Sequence, residues 1–168
     1  MRGKEEMNYR LYSFVNFYLS SIQQGVQTAH LVANMFTDNW QTDTQKTMLH
    51  EWATKDKTLI ILNGGASVDI LEKLARLTLE REFPTGSFAE DADSLNGLVT
   101  CCGIVLPERI WGAMDYKTAV KTDLAEAGFS PEDAFYYNEE GKYEVITYGA
   151  DTPTHQLITM IKSCGLAR

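Results

Sequence analysis

Gln23, Gln24, Gln27 and His30 crowd one short stretch of the chain, and on a helix Gln23, Gln27 and His30 would share a face. Neutral amides donate and accept hydrogen bonds, but they carry no charge and cannot cycle a proton near pH 7. Farther along, Glu90, Asp91, Asp93 and Ser94 gather in an acidic turn ending near Asn96, and Thr100 follows in an apolar run. Carboxylates so placed can activate water as general bases, or simply form a solvated loop. Asn63-Gly64-Gly65 is a third feature. Paired glycines permit close backbone approach to a phosphate or base, or a plain tight turn. The turn lacks the Gly-Lys-Ser/Thr ending of a Walker loop. Ser20 and Ser21 precede the glutamines, and either hydroxyl can cap a helix. No His, Asp and Cys set has metal-ligand spacing, so neither a metal nor a cofactor is expected.

These residues need a scaffold, and the pattern around them predicts one. Residues 11–19 (LYSFVNFYL) are aromatic and β-branched, as in a first strand. Residues 22–36 place Val26, Ala29, Ala33 and Phe36 three and four apart, predicting a helix with that face apolar. A second helix is expected near 43–53. Residues 58–62 (TLIIL) resemble a strand covered on both sides. A helix over 68–81, a short strand at 87–89 and a central strand at 98–106 follow, the last stopped by Pro107. Beyond it the pattern predicts helical turns in 109–128, a hairpin from 135–137 and 143–148 around a turn at 138–141, and a helix at 154–164 stopped by Gly165. The alternation predicts an α/β domain, a mixed sheet of four or more strands with helices on both faces. Its core is 1–107, with 108–168 as a hairpin-plus-helix extension packed on the same domain. A strand running into a capped helix places ligands above the strand end.

The totals narrow the function. The chain has 168 residues, 44% apolar and 23% charged, which suits one globular domain. Its net charge of −8 disfavours a large nucleic-acid footprint, though not a small anionic ligand. Cys101, Cys102 and Cys164 form no Cys-x-x-Cys pair and read as free thiols in a reducing compartment. No apolar run is long enough to span a bilayer, and the charged start lacks a signal-peptide core. A cytoplasmic location is therefore expected.

Several motifs, in order, resemble the type-2 peptidyl-tRNA hydrolases. Their first helix opens Gly-Lys-x-x-Ala-Gln-x-x-His-Ala, and Gln27 with His30 keeps the Gln-x-x-His spacing. Trp52 and the strand at 58–62 match the next features. Gly97-Leu98-Val99-Thr100-Cys101-Cys102-Gly103-Ile104 is similar to the family's Gly-Thr-Val-Thr-x-x-Gly-Ile strand. The resemblance covers residues 11–107, with an insertion near 37–50. It implies a polar cluster of lysine, acid and threonine. The lysine belongs at Gln23, its preceding glycine at Ile22, and the acid at Glu90 or Asp91, with Ser94 in the threonine position of the turn. Residues 19–25 (LSSIQQG) are also similar to a group of small proteins from tailed phages, which implies the host cytoplasm.

Ester hydrolysis needs an activated nucleophile and a stabilised oxyanion, and a charged donor is worth about twice a neutral one. Gln23 in place of lysine therefore makes the leading expectation a non-hydrolytic protein that binds a small nucleotide. A phage sponge for cyclic or ADP-ribose-type immune signals is its concrete form. The ligand-binding candidates are Ser20, Ser21, Gln23, Gln24 and Gln27 at the helix, Asn63, Gly64 and Gly65 at the turn, and Glu90, Asn96 and Thr100 beyond it. The first alternative is an active peptidyl-tRNA hydrolase holding a tRNA 3′ end, with Gln23, Glu90, Ser94 and Thr100 as catalytic candidates and Lys57 supplying charge. The second is an acidic protein–protein module with contacts in 129–168. A homo-oligomer is expected. His30 is expected to be a satisfied core histidine, and Gln27 to bond a neighbouring strand or a ligand.

Overall fold

Tyr9–Val15 is buried along nearly its whole length, and apart from Ser13 and Arg10 its side chains are apolar or aromatic. A strand with two buried faces belongs in the interior of a sheet. In the computed structural model, which describes residues 8–114, 134–137, 143–146 and 153–167, this strand is β1. It pairs in parallel with β2 (Thr58–Asn63) and antiparallel with β4 (Val99–Pro107), which pairs antiparallel with β3 (Thr85–Ala89). The result is a mixed four-stranded sheet in the order β2-β1-β4-β3.

Strand alternation divides the core in two. Leu11, Val15, Cys101 and Val105 meet Leu31 and Met35 of α1 (Ser21–Thr37) and Leu49 of α2 (Asp43–Glu51). Phe14, Cys102, Ile104 and Leu106 face the other way. They meet Ile70 and Leu77 of α3 (Ser67–Leu77), and Ile110 of α5 (Glu108–Met114), after the one-turn α4 (Ala92–Leu95). Leu157 and Ile161 of α6 (Pro153–Ser163) join that second cluster. Helices thus cover both faces, as expected for the α/β class. β5 (Ala134–Tyr137) and β6 (Tyr143–Ile146) form a separate antiparallel pair, where the hairpin was predicted. Its turn at 138–141, and most of the helical turns expected at 109–128, lie outside the described residues. Among the described residues no helix is long and apolar enough to cross a membrane.

Three expectations change. β1 ends at Val15, not at residue 19, because Asn16 Oδ1 accepts the Tyr18 N–H at 3.0 Å and turns the chain. β2 lies at a sheet edge, with Leu59 40% exposed. Its apolar run therefore does not mark a strand covered on both faces. The segment after α6 partly covers that edge: Asn63 N donates to Gly165 O at 2.8 Å, and Ala167 N to Ile61 O at 3.0 Å.

The third change is the rotation of α1. The face predicted to be buried is exposed, with Val26 at 46% and Phe36 at 48%. The helix instead buries Gln24, Gln27, Thr28, Leu31 and Met35. Hydrogen bonds with the sheet make this polar face the inner one.

Burial raises the Cys101 thiol to about 12, with the nearby Glu90 carboxylate adding to the shift, and burial raises Cys102 as well. A folded-state value above the unfolded one favours the fold while both states hold neutral thiols. That contribution is lost as pH rises from about 9 toward 12. Thiol titration of the native protein at pH 8 should therefore modify only Cys164 rapidly. Cys101 and Cys102 should react only after denaturation, and fast labelling of either would contradict this packing.

Candidate functional site

The sheet topology brings one end of each strand to a common edge. Parallel pairing puts Asn63 beside Val15, and antiparallel pairing puts the start of β4 and the end of β3 at the same level. Read across the edge, the order is Asn63, Asn16, Thr100 and Glu90. α1 departs from this end, and its polar face lies against it.

Gln27 is the centre of the cluster. Thr100 Oγ1 donates to Gln27 Oε1 at 2.8 Å, and Gln27 Nε2 donates to Glu90 Oε1 at 2.5 Å. This chain fixes the amide orientation, since an ionised carboxylate can only accept. Thr100 is fully buried and Gln27 is 6% exposed, whereas Glu90 is half-buried. Beside them Ser13 Oγ and Thr28 Oγ1 lie 3.0 Å apart, and Cys101 Sγ lies 3.2 Å from Gln27 O. Glu90 forms no ion pair with any described residue. The cluster therefore presents a carboxylate edge backed by neutral groups, suited to ligand O–H or N–H donors.

Gln23 is turned away from this chain. Ser20 caps α1 by accepting from Gln23 N at 3.3 Å, while Gln23 Oε1 accepts from Ser20 N at 3.0 Å. This capping box satisfies two helix-end donors and leaves Ser21 as the first helical residue. Gln24, only 5% exposed, donates Nε2 to Leu19 O at 3.0 Å. Lys57 sits before β2, at the opposite end of that strand. Its six residues separate Lys57 from the cluster by roughly 20 Å, so Lys57 supplies no charge there.

The glycine turn has a structural cause. Gly64 N donates to Val15 O at 2.8 Å, and an added Cβ would meet Val15 O at 3.0 Å and the Phe14 carbonyl carbon at 3.1 Å. Gly65 has φ +87°, and its N–H donates to Asn63 Oδ1 at 2.9 Å. Asp69 Oδ2 accepts from Ala66 N at 2.8 Å, placing a carboxylate at the start of α3. That carboxylate opposes a phosphate at this helix end.

The remaining candidates separate. Ser94 and Asn96 are exposed around α4, and their side chains bond no described residue. Asn96 has φ +53° and ends the turn. Asp91 is exposed as the α4 cap, so Glu90 is the carboxylate that joins Thr100. His30 is exposed, not buried in the core, and its ring lies 4.5 Å from that of Phe88. Three residues at the edge escaped sequence reasoning. Asn16 donates Nδ2 to Ser67 Oγ at 3.1 Å, and Phe17 and Tyr18 pair their rings at 3.9 Å. All three were absorbed into an overlong strand. The signal was Asn16 itself, a turn former inside an aromatic run.

No protein-family model matches this sequence, and no curated protein is similar enough to identify a relative.

Two glycines with opposite surroundings test the geometry. Gly64→Ala should lose about 1–3 kcal/mol in urea unfolding, because its added methyl overlaps Ile70 Cδ1 while the β1 backbone presses it from the other side. Gly25→Ala, in a helix with nothing within 4 Å, should gain about 0.5–1 kcal/mol. Equal effects at the two positions would contradict the close approach of Gly64 to β1.

Proposed function

We propose that this protein binds a small nucleotide without hydrolysing it, on a fold of the type-2 peptidyl-tRNA hydrolase kind. One observation carries the reading. The Gln27 amide is held between Thr100 and Glu90, while Gln23, at the position expected for lysine, completes the helix cap. No described cation pairs with Glu90. The cluster thus lacks the charged donor that would steady an oxyanion, yet retains fixed hydrogen-bonding groups.

Such groups favour recognition of sugar hydroxyls and base edges over phosphate. The free oxygen of Glu90 accepts O–H or N–H groups, and the exposed rings of Phe17 and Tyr18 offer stacking surfaces nearby. Sequestration of a cyclic or ADP-ribose-type nucleotide in the host cytoplasm is the form this takes if the similarity to phage proteins holds. A tRNA 3′ end belongs to the hydrolytic alternative.

Calorimetry against AMP, ADP-ribose and cyclic dinucleotides should show saturable binding to the wild type. Glu90→Gln keeps the side-chain size and removes the charged acceptor, and should weaken the bound nucleotide by about tenfold. Incubation with peptidyl-tRNA should give no turnover. Turnover abolished by Thr100→Ala would make the protein a hydrolase, and absence of heat with every nucleotide would remove the binding reading.

The outer face of α1 favours a second reading, a protein contact. Ile22 is 79% exposed, in line along the helix with Val26 and Phe36. Sedimentation of the wild type beside Ile22→Asp measures it. A dimer lost in the variant supports self-association through this face, and a monomer in both rejects it.

A further inference from the structure

Beside the Gln27 cluster, on the β2 side of Asn16, lies a cavity of about 680 Å³. Phe17, Gln24 and Asn63 form its inner wall, and Gly165, Leu166 and Ala167 its outer one. The outer segment is held to β2 by two backbone hydrogen bonds, from Asn63 and from Ala167, which together make the antiparallel bridge between Leu62 and Leu166. None of these last three residues is among the ligand candidates read from the sequence.

The polar atoms left over in this wall are specific. Gln24 spends its NH₂ on Leu19 O, which fixes the amide orientation and leaves Oε1 accepting from no described residue. Asn63 spends Oδ1 on the Gly65 N–H, which leaves Nδ2 donating to no described residue. Gln24 is 5% exposed, so its free acceptor is held in place rather than swept through solvent. The cavity therefore presents one acceptor, one donor and an aromatic ring. Every nucleobase offers the complement: a flat π-face and adjacent donor and acceptor atoms on its edge. Neutral amides pair with adenine in this way, through its exocyclic amine and a ring nitrogen.

We propose that this cavity is the base-binding subsite of the nucleotide site, with residues 165–167 as its outer wall. The assignment rests on the nucleotide reading above and divides the labour within it. The base lies against Phe17 between Gln24 and Asn63, and Glu90 takes donors from another part of the ligand. The two ends lie on β2 and β3, three interstrand spacings or roughly 14 Å apart. A ligand that touches both must be longer than a single nucleoside, so a dinucleotide-length molecule is the fitting class.

Asn63→Asp tests this with little disturbance, because Oδ1 still accepts from Gly65 while the free donor becomes an acceptor. Gly165→Leu is a second probe, since a Cβ added there meets nothing within 4 Å and the residue lines the cavity, so a larger side chain is accommodated at its wall. Isothermal titration with AMP, ADP-ribose and ribose 5-phosphate reads both variants, with circular dichroism confirming their fold. AMP and ADP-ribose should each bind about tenfold more weakly to Asn63→Asp and to Gly165→Leu. Ribose 5-phosphate should keep its wild-type behaviour. If ADP-ribose binding is weakened by Glu90→Gln but unchanged by both cavity variants, the base subsite is wrong and the nucleotide reading stands. If the wild type binds neither these probes nor a cyclic dinucleotide, both are wrong.

Discussion

The Gln27 side-chain amide ties the inner face of α1 to two strands of the sheet. Gln27 projects from α1 into a space where an unbonded amide would cost about 1–3 kcal/mol of desolvation. Its oxygen accepts from Thr100 on β4, and its nitrogen donates to Glu90 after β3. Satisfying both ends fixes the rotation of α1 about its axis. That rotation in turn sends Gln24 toward the strand ends and Val26 to solvent. The same bond holds the only carboxylate of the acidic turn that reaches the sheet edge, so fold and site share one constraint.

The strands were largely legible because their signal is local. Continuous apolar runs gave β2 and β4, and the segment after Pro84 and Gly86 gave β3, to within a few residues, and the helices over 22–36 and 43–53 lie close to their predicted bounds. The inward face of α1 was not legible. Its predicted apolar side rested on Val26, Ala29, Ala33 and Phe36, whereas the buried side begins with Gln24, Gln27 and Thr28. Polar residues are buried only where partners await them. Ser13 lies 15 residues from Thr28, and Glu90 and Thr100 lie 63 and 73 residues from Gln27. No local pattern carries that information. The edge position of β2 was hidden for a related reason, since an apolar run does not reveal which neighbour is missing.

The site was legible in composition and less so in geometry. Gln27, Glu90 and Thr100 converge, and Gln24 and Asn63 meet in the adjoining cavity. Ser94 and Asn96 do not join them, and Ser20 with Gln23 forms a helix cap. Gly64 and Gly65 serve a close approach to β1 and a left-handed turn. Among the described residues, the side chains placed at the edge are neutral except for carboxylates, with Glu90 at one end and Asp69 at the start of α3. That balance disfavours an anion at this edge and underlies the proposed recognition through donors, acceptors and rings.

The Gln27 side-chain amide reports most directly on the central claim, because it contacts the structural and the recognising halves of the cluster together. Its two Nε2 proton resonances can be followed by nuclear magnetic resonance while ADP-ribose is titrated into the wild-type protein. They are expected to shift progressively and saturate with the ligand, together with the backbone amides of Glu90 and Thr100. Saturable binding that leaves all of these resonances unmoved would contradict the account, since the ligand would then lie elsewhere on the molecule.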